Sequence, residues 1–88
     1  MASKEEIKLL FIAELKNTPQ YQIILNIKQL ILDEISRPNI QKLIIYIFDR
    51  YINSEEQEII KMCGLLEFGF DIYVNESMCE ISMDKFLL

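Results

Sequence analysis

The chain has 88 residues, 51% of them hydrophobic and 26% charged, with two Gly, two Pro, two Cys, no His and a formal net charge of −5. Such a length makes a single domain, 1–88, able to bury about 60–65% of its unfolded surface, and the composition excludes a disordered or collagenous chain and disfavours a loop-rich one. The charge is split: residues 1–52 carry seven basic against six acidic side chains, a net of +1, and residues 53–88 carry two against eight, a net of −6. An acidic field of that kind repels phosphate backbones and anionic membranes and favours a basic partner surface.

In chain order, Ser3 followed by Glu6 forms a capping box that opens a first helix over 3–17. Its inner stripe is Ile7, Leu10, Phe11 and Leu15, and Leu9 and Ile12 widen that stripe beyond what one neighbour covers. Thr18-Pro19 is an N-cap followed by a residue suited to the first helical position, and it opens a second helix over 18–35. Ile24, Ile27, Ile31 and Ile35 share one line of that helix, while Tyr21, Leu25 and Leu32 trace a second.

Pro38 disfavours helical dihedrals at Arg37 and so separates the second helix from a third over 38–52. Ile40, Leu43, Ile44, Ile47, Phe48 and Tyr51 recur there at helical spacing, and Ile45, Tyr46 and Ile52 make a second apolar face. That pattern predicts a central core helix. Ser54 and Gln57 then form a second capping box opening a fourth helix over 54–68, with Gly69 placed as its left-handed cap.

After Gly69 the period changes to two. Phe70, Ile72 and Val74 alternate with polar or aromatic residues, Asn75-Glu76-Ser77 supplies turn chemistry, and Cys79, Ile81 and Met83 alternate again, which predicts a β-hairpin with strands at 70–74 and 78–83. A fifth short helix over 77–87 is the rival reading. The expected fold is therefore mainly α, with α+β character at the C-terminus: a compact bundle of four helices followed by a hairpin. Charges interrupt MASKEEIKLL where a signal peptide needs its apolar run, and no segment reaches about 18 uninterrupted apolar residues, so the expected location is cytoplasmic, away from membranes.

Constellations for chemistry are sparse. Asp33-Glu34 and Glu55-Glu56-Glu58 sit in terminal helical turns as surface charges rather than convergent acids. Cys63 and Cys79 have no histidine partner and lie on apolar lines, so they read as buried reduced thiols, too few for a structural zinc site. With only Gly64 and Gly69 there is no phosphate-cradling loop. The expectation is a protein that is not an enzyme and carries no cofactor and no metal.

The remaining signal is surplus apolar surface. Leu9, Ile12, Leu25, Leu32, Ile45 and Tyr46 fall outside the main stripes of the first three helices, and surplus of this kind on a small helical chain predicts self-association as a homodimer. The expected function is a small interaction protein, a homodimeric regulator or inhibitor that binds another, basic protein through an acidic C-terminal face presenting Glu55, Glu56, Glu58 and Glu67. The alternative is a dimeric winged-helix-like DNA-binding transcriptional regulator, because helices followed by a hairpin are also the order of that module. Its groove-entering helix here would present one Lys among four Glu, so nucleic acid is the less favoured partner.

Overall fold

The computed structural model describes residues 3–36 and 43–86. Three α-helices, α1 (Lys4–Lys16), α2 (Pro19–Ile35) and α3 (Ser54–Phe68), accompany three short strands, β1 (Ile44–Ile47), β2 (Tyr73–Val74) and β3 (Met78–Ile81), and a 3-10 turn follows at Met83–Phe86. The strands form one antiparallel sheet in the order β1-β3-β2.

The helix starts follow from local chemistry. Ser3 accepts the Glu6 N–H at 3.2 Å, and Thr18 accepts the Tyr21 N–H at 3.4 Å with Pro19 in the first turn. At α3 the cap is Asn53, whose Oδ1 accepts the Glu56 N–H at 2.9 Å, one residue earlier than the predicted Ser54 box. Gln57, expected to complete that box, instead donates to the Ile52 carbonyl at 2.9 Å. Gly69, with φ of 74°, ends α3 and returns its N–H to the Leu65 carbonyl at 2.8 Å.

No four-helix bundle exists among the described residues. The predicted helix over 38–52 is replaced from residue 43 onward by β1 and a non-helical segment that runs to Asn53, and 38–42 lie outside the described residues. The reason lies in the residue types. A short unbroken apolar run fits helix and strand equally by periodicity, and Ile-Ile-Tyr-Ile has strong strand preference. It also finds a partner: Ile44 faces Ile81, Tyr46 faces Cys79, and the pairing continues with Phe48 N–H donating to Ser77 O at 2.9 Å. This stretch is an edge strand rather than the centre of the core. The other two strands are shorter than the predicted 70–74 and 78–83, and between them Asn75 Oδ1 accepts the N–H of Ser77 and of Met78 at 2.8 and 2.9 Å, holding the turn.

The core instead sits between α2, α3 and the inner face of the sheet. Ile24, Ile27 and Ile31 of α2, Ile60 and Cys63 of α3, and Ile52, Ile72, Cys79, Ile81 and Met83 are all buried and form one cluster. Burial of each large member contributes about 1.5–3 kcal/mol. Gly64 lets α3 approach Ile72 closely. By contrast α1, whose stripe was expected to face inward, buries only Leu15 and leaves Ile7, Leu9, Leu10 and Phe11 exposed. The molecule is accordingly long and flat, 51 × 31 × 17 Å, with a radius of gyration of 14.2 Å where a compact chain of this length has about 12 Å.

Candidate functional site

Where α1 leans on α3 through Leu15, the two helices leave an open apolar groove of about 450 Å³. Phe11, Ile12 and Leu15 line one wall, Met62, Leu65 and Leu66 the other, and Lys8 stands at the rim. Along α3 the groove continues into charge. Residues 55, 58, 62 and 65 recur at helical spacing on one face, and Glu55, Glu58, Met62 and Leu65 are all exposed there. The N-terminal end of that stripe is therefore acidic and its C-terminal end apolar.

The other two acids of the expected partner face have internal duties. The Glu56 carboxylate takes a two-pronged contact from the Arg50 guanidinium, one prong at 3.0 Å, and a further hydrogen bond from Gln20 Nε2 at 3.1 Å. These ties join α2, α3 and the segment after β1. The Arg50 contact, helped by hydrogen bonds from Gln20 and from the Asn53 backbone N–H, lowers the Glu56 carboxyl to about 2 despite partial burial. Glu67 accepts from the Tyr21 hydroxyl and from Lys28 Nζ at 2.9 Å, so it clamps α2 to the end of α3. Burial pushes Glu67 up, but the hydrogen bonds from Tyr21 and Lys28 and the nearby Lys charges outweigh it, and the group titrates below the usual carboxylate range. The same hydrogen bond, with burial and the Glu67 charge, raises the Tyr21 hydroxyl to about 12.

Of the residues expected to mediate self-association, Leu9 is exposed on α1 and Ile12 lines the groove. Leu25 is half-buried and Leu32 exposed on α2, while Ile45 and Tyr46 lie on opposite faces of β1. Tyr46 turns inward, its ring 6.0 Å from that of Phe48, and Ile45 turns outward. These six residues thus occupy three elements rather than one continuous helical face. Phe11 was assigned to a core stripe, yet it lines the groove opposite Met62; no local signal separates a core stripe from a groove wall.

Both thiols are free and buried: burial raises Cys63, and it pushes Cys79 up to about 12. Among the described residues no group of three or more His, Cys, Asp or Glu could hold a metal ion, and no helix is long and apolar enough to cross a membrane. Comparison with protein-family models, curated proteins and solved structures gives no match.

Proposed function

We propose that this chain is a small non-catalytic interaction protein of the cytoplasm, a homodimeric regulator or inhibitor that acts by binding a partner protein with a basic, amphipathic docking element. The supporting observation is the α3 stripe, in which exposed Glu55 and Glu58 lead into exposed Met62 and Leu65 beside the groove with α1. An amphipathic helix with a basic end and an apolar body matches that sequence of surfaces, laying apolar anchors into the groove and its cations near the two glutamates. Glu56 and Glu67 support the surface from behind by holding α3 to α2 and to the segment after β1.

A photo-crosslinking residue at position 62 tests this reading in cells that express the chain. A defined heteromeric adduct that is lost both in Leu65→Glu and in Glu55→Lys/Glu58→Lys is the expected result. An adduct indifferent to the charge reversal, or adducts with the chain itself alone, would overturn it. The DNA-binding reading draws on the position of the β2–β3 hairpin directly after α3. It is opposed by β1, which separates α2 from α3 where a helix-turn-helix joins them by a turn of three or four residues, and by the two glutamates at the start of the exposed α3 stripe. A gel shift at low salt, weakening steeply as salt is added, would favour it instead.

A further inference from the structure

Among the described residues the sheet ends at β1, with an unusual edge. The Phe48 N–H to Ser77 O bond of 2.9 Å fixes the phase of the ladder, so that Ile44, Tyr46 and Phe48 are the residues that exchange bonds with β3. By alternation, the N–H and C=O groups of Ile45 and Ile47 point off the sheet. Their side chains are on its outer face, 50% and 74% exposed, and Tyr73 of β2 is 56% exposed on that face in the same cross-strand row as Ile45. Edge strands that stay solvent-facing are ordinarily guarded by Lys, Pro or a bulge. Residues 43 to 48, Leu-Ile-Ile-Tyr-Ile-Phe, hold no charge and no proline.

We propose that this edge is completed by a second copy of the chain, whose β1 adds antiparallel across a two-fold axis at Tyr46. The strand is complementary to itself in that register. Ile45 then faces Ile47 of the other copy, the two exchange both backbone hydrogen bonds, and every outward polar group of the pair acquires a partner. Ile44 comes opposite Phe48 of the other copy on the inner face, extending the apolar layer over the helices, and the three-stranded sheet is doubled into one continuous sheet. The chain exposes 6340 Å² where a compact chain of its mass exposes about 5400 Å², an excess shared between the open face of α1 and the outer face of β1. Leu43, 46% exposed, and Tyr51, 73% exposed, flank the strand and widen the contact beyond its backbone.

This inference rests on the self-association part of the proposed function and names its surface, leaving the groove between α1 and α3 free for the partner. Light scattering across a dilution series tests it on three proteins. The unaltered chain has the mass of two chains; Ile45→Lys/Ile47→Lys falls to the mass of one while keeping its helical circular dichroism; Leu9→Glu/Leu10→Glu on α1 keeps the mass of two. A dimeric Ile45→Lys/Ile47→Lys protein, or a monomeric Leu9→Glu/Leu10→Glu protein, overturns the β1 assignment without touching self-association. An unaltered chain that is monomeric at all concentrations overturns both, including the case in which β1 takes up an extended segment of another protein. Should the double lysine variant not fold, amide exchange of the unaltered chain decides: Ile45 and Ile47 amides are protected at high concentration and exchange on dilution, and amides that exchange freely at every concentration overturn the proposal.

Discussion

Gly64 of α3 stands against Ile72: a Cβ added at Gly64 would lie 2.5 Å from Ile72 Cδ1 and 3.0 Å from its Cγ1. Ile72 is buried, 5% exposed, so its side chain has little room to withdraw. Gly64→Ala therefore sets a helix-propensity gain of about 1 kcal/mol against overpacking that costs about 1–3 kcal/mol. Net destabilisation is expected in urea unfolding. Ile72→Val removes Cδ1 and costs about 0.5–1.5 kcal/mol alone, but combined with Gly64→Ala it should give a protein more stable than the sum of the two single changes predicts. Strict additivity would show that the contact does not limit how closely α3 approaches.

The clamp at Glu67 sets two limbs of the stability profile. Glu67 is depressed in the folded state, so its contribution is fully present above the unfolded carboxyl value of about 4.3 and is lost as pH falls through the lower folded value. Tyr21 is raised to about 12, so its contribution is fully present below the unfolded value of about 10 and is lost as pH climbs towards 12. Thermal unfolding should thus show little dependence on these groups between about pH 5 and 9. Tyr21→Phe should flatten the alkaline limb. Glu67→Gln should weaken both limbs and cost about 1–2 kcal/mol at neutral pH, the charge-assisted scale of about 1.5–3 kcal/mol reduced by the solvent exposure of Lys28. An unchanged alkaline limb in Tyr21→Phe would mean that the hydroxyl does not donate to Glu67.

At the other end of α3, the Glu56 carboxyl is lowered to about 2 chiefly by Arg50. In a carboxylate titration followed by NMR, Glu56 should be among the last glutamates to protonate, and Arg50→Ala should move it upward. Gln20 still donates to it at 3.1 Å, so Gln20→Ala should move it less than Arg50→Ala does. Equal shifts in both variants would reverse that ranking.

Legibility in the sequence tracked how local the deciding interaction is. Ser3, Thr18-Pro19 and Gly69 act within a few residues of themselves, and the helix ends they mark fall within a residue or two of the observed ones. Residues 44–47 were decided by pairing with Met78–Ile81, more than thirty residues away, and apolar spacing alone carried no trace of it. With that helix gone, its expected second face resolved into the two faces of a strand, Tyr46 inward and Ile45 outward. The surplus on α1 was visible in the sequence as Leu9 and Ile12, but the exposure of Ile7, Leu10 and Phe11 depends on α1 meeting the rest of the molecule only near its C-terminal end. Glu56 and Glu67 were legible as acidic. Their engagement with Gln20, Tyr21 and Lys28 spans 36 to 46 residues and leaves no local mark.

The start of α3 offers the sharpest test of a single residue. Asn53 Oδ1 accepts the Glu56 N–H at 2.9 Å, whereas Ser54 is already the first helical residue. An N-cap side chain satisfies a backbone donor that the helix leaves open, and its replacement by alanine costs about 0.5–2 kcal/mol. Asn53→Ala should therefore lower stability by about 1 kcal/mol, and Asn53→Ser should recover most of the loss because serine is a comparable cap. Ser54→Ala, at a position where alanine is the better helix former, should be neutral or slightly stabilising. The Glu56 carboxylate is held by Arg50, Gln20 and the Asn53 backbone N–H, all of which Asn53→Ala retains, so the loss of stability should come without a large shift of the Glu56 carboxyl. The opposite pattern, with Ser54→Ala destabilising and Asn53→Ala silent, would place the cap one residue later and shift the start of the exposed α3 stripe with it.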